Sequence, residues 1–156
     1  MNIVATCLAP EDICLDVEVA SKSELFDVIG RHMEKVHGLA QKWVALSLSR
    51  REQVGPTGLG HGFAIPHARV AELERTVVAY VRLKSPLRFG APDRQPVSDV
   101  LALLVPAPAS EEHLKMLAEA TRMFSDDALR GELRRCSSPL EIKRLFESWS
   151  SEKAAT

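Results

Sequence analysis

The sequence predicts an α/β sandwich, one domain in which a mixed, mostly parallel β-sheet is covered by helices on both faces. Three observations carry this. Helical and strand periodicities interleave along the chain rather than falling into separate blocks. Val100-Leu-Ala-Leu-Leu-Val105 is apolar without interruption, the pattern of a strand covered on both sides. Thr76 to Lys84 alternates strictly, placing Val77, Ala79, Val81 and Leu83 on one face of a second strand.

The elements follow in order. Ile13 to Val17 alternates like a half-buried strand. Ser21-Lys-Ser-Glu24 then has the spacing of a capping box, opening a helix whose apolar face is Leu25, Val28, Ile29, Met33 and Val36, with Gly38 as its stop. A second helix runs from about Leu39 to Gln53, burying either Trp43 with Leu46 or Val44 with Leu48. The stretch from Gly55 to His67 holds four glycines in eight residues, and Pro66 bars a central strand there, so it is a shaped loop or short strand. Pro106 and Pro108 close the Val100–Val105 strand, and Ser110 caps a helix through about Ser125 with Leu114, Leu117, Thr121 and Phe124 on one face. A short helix covers Ala128 to Arg135. The last begins at Ser138-Pro-Leu-Glu141, with proline at the first helical position, and buries Leu140, Leu145 and Trp149. No repeat or linker divides residues 1–156; the core is expected over about 8–147 and a dispensable tail over 148–156.

The 156 residues are 46% hydrophobic and carry 20 basic against 21 acidic side chains, a net charge of −1. That balance excludes the basic stripe of a nucleic-acid-binding protein. No apolar run is long enough to span a bilayer and the N-terminus lacks a signal-peptide pattern, so a cytoplasmic protein without direct membrane insertion is expected. Cys7, Cys14 and Cys136 form no C-x-x-C pair, and they read as reduced thiols rather than zinc ligands or a redox motif.

Chemistry is then sought among five histidines. His32 and His37 lie within or at the end of a helix and read as structural. His67 follows a proline and an amide-rich loop, where an imidazole serves as base, ligand or nucleophile; a purely structural His67 stays open on spacing alone. Arg50 and Arg51 end the helix entering that loop and Arg69 lies just past His67; guanidinium groups bind phosphate oxygens in a bidentate manner, although they also complement a helix C-terminus. His113 stands in the first turn of the Ser110-capped helix, where an anion is favoured and a solvated side chain is the alternative. Two histidines, an arginine and an amide-rich loop without an acidic cluster suit a phosphoryl group better than a cation. A metal-dependent hydrolase built on His61, His67 and His113 lacks the carboxylate such a site needs.

Arg51-Glu-Gln, Thr57-Gly-Leu-Gly and Gly62-Phe-Ala-Ile-Pro-His67, with sixteen residues from Arg51 to His67, resemble the mannitol/fructose-type enzyme IIA of the bacterial phosphotransferase system. Leu103-Leu-Val-Pro106 followed by Glu112-His113-Leu114 resembles that family's second histidine segment. The resemblance runs from about Ile13 to Phe146 and is nearest the stand-alone nitrogen-regulatory branch. It implies the mannitol-type fold and a regulatory phosphocarrier in which His67 is the phosphoacceptor on its tele (Nε2) nitrogen. His113 would bond the phosphoryl group or support His67, Arg51 would stabilise its charge, and Thr57 with the following amides would shape the pocket floor. The donor would be an HPr-type phosphocarrier (NPr), itself phosphorylated by an enzyme I. No metal or cofactor is implied, and partners are regulatory target proteins meeting an apolar rim at Leu59 and Phe63, the latter equally a core residue. Ala68 stands where nitrogen-regulatory members commonly carry glycine, and His61 where a polar residue is common; no role is assigned to His61. A separately encoded sugar-transport IIA, passing phosphate to an enzyme IIB, is the alternative, disfavoured by the lack of IIB-like and membrane segments. The sequence sets no oligomeric state.

Overall fold

The computed structural model describes residues 2–108 and 110–150. Six strands form one sheet: β1 (Ile13–Val17), β2 (Gly58–Gly60), β3 (Phe63–Ala64), β4 (His67–Val70), β5 (Val77–Leu87) and β6 (Val97–Pro106). The helices are α1 (Ile3–Cys7), α2 (Lys22–His37), α3 (Gln41–Val54), α4 (Glu111–Phe124), α5 (Asp127–Arg135) and α6 (Pro139–Ser148), with a 3₁₀ turn at Pro10–Asp12. The strand order is β1-β5-β6-β3-β2, with β4 also on β6. β1–β5, β3–β6 and β4–β6 pair in parallel, whereas β5–β6 and β2–β3 are antiparallel.

β6 organises the sheet because its apolar run has no polar face. Val97, Val100, Ala102 and Leu104 enter the core beneath α2 and α3, while Leu101 and Leu103 enter the one beneath α1, α4, α5 and α6. β5 divides the same way: Val77, Ala79, Val81 and Leu83 join the first core, Val78 and Tyr80 the second. Burial of each large side chain here contributes about 1.5–3 kcal/mol. One edge of β6 pairs with β5; the other is shared end to end by β3 and β4, with Phe63 opposite Asp99 and His67 opposite Leu103. Pro66 sits between those two short strands and interrupts the ladder, since it has no N–H to give.

The caps follow the sequence. Ser21 Oγ accepts from the Glu24 amide at 3.1 Å, and the Glu24 carboxylate reaches back to the Ala20 amide at 2.8 Å, one residue earlier than a standard capping box. Gly38 ends α2 in the left-handed region, φ 70°. Of the two faces open for α3, the structure selects Val44 and Leu48; Trp43 is 54% exposed.

Four expectations need correction. The core begins before residue 8: Val4 and Ala5 of α1 are fully buried, and Asn2 anchors the helix by accepting from the Ala5 amide and donating to the Phe146 and Trp149 carbonyls. It ends after residue 147, because Trp149 is buried and donates its indole N–H to Asp126; residues 151–156 of the expected tail lie outside the described residues. On α2 the buried stripe takes in Phe26 and Gly30, and Val36 faces outward. On α4 and α6 the buried residues are Met116, Ala120, Met123 and Phe124, and Ile142 and Phe146, while Leu114 is 68% and Leu140 50% exposed. Among the described residues, no helix is long and apolar enough to cross a membrane.

Candidate functional site

α3, β4, the end of β6 and the first turns of α4 enclose a cleft of about 740 Å³ lined by Ser47, Arg51, His67, Ala68, Arg69, Val105, Ser110, Glu111, His113, Leu114 and Leu117. Three of the four predicted site residues, Arg51, His67 and His113, therefore meet in one cleft although they are spread over 62 positions of sequence.

His67 begins β4 immediately after Pro66. Its Nδ1 lies 3.0 Å from the Ile65 carbonyl, which can only accept, so Nδ1 carries the hydrogen and donates. Arg51 Nε donates to His67 Nε2 at 3.2 Å, and a guanidinium can only donate. Both neighbours thus require the same neutral tautomer, with the lone pair on Nε2. Burial, the larger effect, and the adjacent Arg51 charge depress the His67 pKa below the ordinary 6.5 against the opposing Ile65 hydrogen bond. A neutral ring is thereby favoured near neutrality, leaving Nε2 a nucleophile.

Arg51 is held by its own chain. It lies in the last turn of α3, and its Nη1 donates to the Gly55 carbonyl at 3.0 Å, which fixes the guanidinium plane with Nε directed at His67. The loop that supplies this carbonyl is clamped in turn by Glu52. That carboxylate, 8% exposed, accepts from the Thr57 amide (2.9 Å), the Thr57 hydroxyl (2.6 Å) and Lys22 Nζ (2.9 Å).

His113 occupies the third position of α4, where its Nδ1 accepts from the Ser110 amide at 3.2 Å. An amide N–H only donates, so the neutral ring carries its hydrogen on Nε2. The two cleft imidazoles are therefore opposite tautomers: His67 presents a lone pair at Nε2 and His113 an N–H.

Other expectations fall elsewhere. Thr57 does not line the cleft; its amide and hydroxyl both donate to Glu52, the residue next to Arg51. Phe63 is fully buried with its ring 4.6 Å from that of Phe124, and Leu59 packs against the same core, so neither forms a rim. The apolar wall is instead Ala68, Val105, Leu114 and Leu117. His61 is exposed and does not line the cleft; its amide donates to Asp93 at 2.8 Å and its carbonyl accepts from Arg134. Of Arg50, Arg51 and Arg69, the first is exposed and outside the cleft. Among the described residues no group of three or more His, Cys, Asp or Glu side chains is placed to hold a metal ion. Sequence reasoning missed Glu52 as the clamp and Leu114 as cleft wall; the only signals were the Arg51-Glu52 adjacency and the place of Leu114 beside His113.

Residues 6–149 match the family model described as "Phosphoenolpyruvate-dependent sugar phosphotransferase system, EIIA 2". The chain belongs to the phosphotransferase-system EIIA 2 family. This EIIA 2 chain is 34% identical to the nitrogen regulatory protein of Klebsiella oxytoca over 140 residues, 89% of this chain and 86% of that protein. Its fold is that of nitrogen regulatory protein IIA-Ntr from Neisseria meningitidis, with a TM-score of 0.86 and 38% identity over 92% of this chain and 99% of the other. The IIA mannitol structure from Escherichia coli matches at TM-score 0.72 and 25% identity, over 88% of this EIIA chain and 97% of the other. The α/β sandwich and the nitrogen-regulatory resemblance are thereby established.

Proposed function

We propose that His67 Nε2 is the phosphoacceptor of a regulatory phosphocarrier in the cytoplasm, charged by an HPr-type carrier (NPr) and altering its binding to target proteins with its phosphorylation state. The observation that carries this reading is the pair of opposed tautomers in one cleft with an arginine on the nucleophile. Nε2 attacks phosphorus in line; the new N–P bond forms as the donor's phosphorus–nitrogen bond breaks, and its electron pair stays with the donor histidine. Arg51 Nε–H then passes from the Nε2 lone pair to a phosphoryl oxygen, and His113 Nε2–H gives a second donor. The Ile65 carbonyl keeps Nδ1–H in place, so positive charge developing on the ring is met by an acceptor already aligned. Phosphorylation adds close to two negative charges beside the Leu114–Leu117 wall, enough to change which surfaces bind there.

The nitrogen-regulatory names of the relatives support the regulatory branch. Likeness to the mannitol IIA supports a second reading, delivery of phosphate to an enzyme IIB. The test is incubation with enzyme I, an HPr-type carrier and phosphoenolpyruvate, comparing wild type and His67→Ala by intact mass. A phosphate-sized, acid-labile gain lost in the variant is expected; no gain in folded wild type with cognate carriers refutes the proposal. Rapid onward transfer to an enzyme IIB would select the second reading.

A further inference from the structure

Away from the cleft, the edge strand β1 and helix α2 bring together a nucleophile, an imidazole and a buried carboxylate. Cys14 Sγ lies 3.7 Å from His32 Nδ1, and His32 Nε2 lies 2.7 Å from Asp12 Oδ1. Asp12 is 1% exposed and can only accept when ionised, so Nε2 carries a hydrogen and Nδ1 faces the sulfur. His37 donates to the same carboxylate, 2.8 Å from Oδ1 and 3.1 Å from Oδ2, which keeps Asp12 from rotating away. The hydrogen bonds from His32 and His37 outweigh burial and hold the Asp12 carboxyl below its usual range. A thiol within reach of a base that is itself oriented by a third group is the arrangement of an activated nucleophile.

The other two cysteines serve as controls inside the same chain. Cys136 is buried, with its sulfur donating to the Glu132 carbonyl. Cys7 is partly exposed, and burial and the Glu112 charge push its thiol up. Among the described residues, Cys14 is the one cysteine with an imidazole nitrogen as its partner. It is partly buried at the margin of the core beneath α2 and α3.

We propose that Cys14 is a peroxide-reactive thiol, with His32 as its proton partner and Asp12 as the group that holds His32 in place. In the ion-paired form the Cys14 thiolate attacks one oxygen of hydrogen peroxide. The S–O bond forms as the O–O bond breaks, and the departing hydroxide takes the Nδ1 proton of the His32 imidazolium. The products are Cys14 sulfenic acid, neutral His32 and water. The sulfur is oxidised by two electrons and the peroxide reduced by two; a small thiol then returns Cys14 through a mixed disulfide. Protonated His32 is the state the site favours, because the bonds to Asp12 and Cys14 raise its pKa to about 9.

The test is treatment of the full chain with hydrogen peroxide in the presence of dimedone at neutral pH, with each cysteine followed by peptide mass. Cys14 is expected to acquire the adduct at least about tenfold faster than Cys7 or Cys136, because among the three it alone has an imidazole nitrogen beside its sulfur. His32→Gln is expected to erase that lead. Equal rates at the three cysteines in wild type, or a Cys14 lead that persists in folded His32→Gln, overturns the proposal. A readout independent of the His32 variant is the His32 imidazole titration by NMR. In Cys14→Ala its midpoint falls from about 9; an unchanged midpoint also overturns the proposal.

Discussion

Arg51→Ala tests the chemistry of the cleft most directly. In the resting site the side chain makes one bond to the His67 Nε2 lone pair and one to the Gly55 carbonyl. On the proposed reading the first becomes a charge-assisted bond to the phosphoryl group. Such a bond is worth about 1.5–3 kcal/mol, and each ~1.4 kcal/mol is about tenfold in rate, so transfer to His67 should slow by roughly 10–150-fold. Arg51→Lys should recover only part of this, because an ammonium restores the charge but not the fork that spans Gly55 and His67. The assay is single-turnover phosphorylation from a phosphorylated HPr-type carrier, followed by intact mass. The same variant carries a second readout. Removing the guanidinium removes one cause of the depressed His67 pKa, so the NMR midpoint should rise. Transfer within about twofold of wild type would mean that less than about 0.5 kcal/mol comes from Arg51, and the charge-stabilising role would be refuted.

Thr57→Val removes the hydroxyl bond to the buried Glu52 carboxylate and should lower unfolding stability by roughly 1.5–3 kcal/mol, read by urea denaturation, while slowing transfer far less than Arg51→Ala. A slow variant of unchanged stability would instead place Thr57 against the phosphoryl group. Gly30→Ala should destabilise the α2–α3 contact, because its Cβ would meet the Gln41 carbonyl oxygen at 2.6 Å. The cost of such overpacking is about 1–3 kcal/mol, or about 2–4 °C of Tm per kcal/mol in a chain this size, and an unchanged Tm in a thermal melt counts against the packing described. The Asp12–His32 pair should give stability a defined pH window. His32 has a folded pKa of about 9 against 6.5 unfolded, so its contribution is complete below 6.5 and lost as pH rises through about 9. Asp12 is depressed below 3.8, so its contribution is present above that value and lost as pH falls through the folded one. Denaturation of wild type and His32→Gln should therefore converge at alkaline pH; a gap constant from 6.5 to beyond 9 rules the linkage out.

The layers of the fold were legible because β5 and β6 write their burial into the chain: alternation in one, an unbroken apolar run in the other. The helices were legible as elements but less so as faces. On α4, Leu114 and Leu117 sit at apolar positions and suggest a core stripe with Phe124, yet they line the cleft beside His67, and the buried residues are Met116, Ala120, Met123 and Phe124. Hydrophobic periodicity does not separate a core face from a binding wall, since both are apolar. α1 was invisible because five residues are too few for a period. What holds it is Asn2, whose partners are backbone carbonyls 144 and 147 residues away. The Asp12–His32–His37 cluster was hidden for a similar reason. Each histidine alone reads as a structural imidazole, and only the packing of α2 on the turn before β1 gives them one carboxylate.

The clamp around Arg51 shows why the motif legible in sequence is only half of the site. His67 and Arg51 are visible as residue types, but the groups that decide their protonation are main-chain atoms. The Ile65 carbonyl sets one tautomer and the Ser110 amide the other. Pro66 fixes the backbone between Ile65 and His67, so the carbonyl that holds Nδ1–H sits only two residues from the ring it orients. Ser110 leaves a free helix-start amide, which an imidazole three residues on can accept. Exchange of either backbone contact would swap a donor for an acceptor at Nε2, and the cleft would then hold two lone pairs or two N–H groups. Neither arrangement takes up a phosphoryl group: two lone pairs leave its oxygens without an imidazole donor, and two N–H groups leave phosphorus without a nucleophile. On the proposed reading, a preference of the cleft for a phosphoryl anion over a metal cation rests on which ring nitrogen each backbone group claims, more than on the number of histidines present.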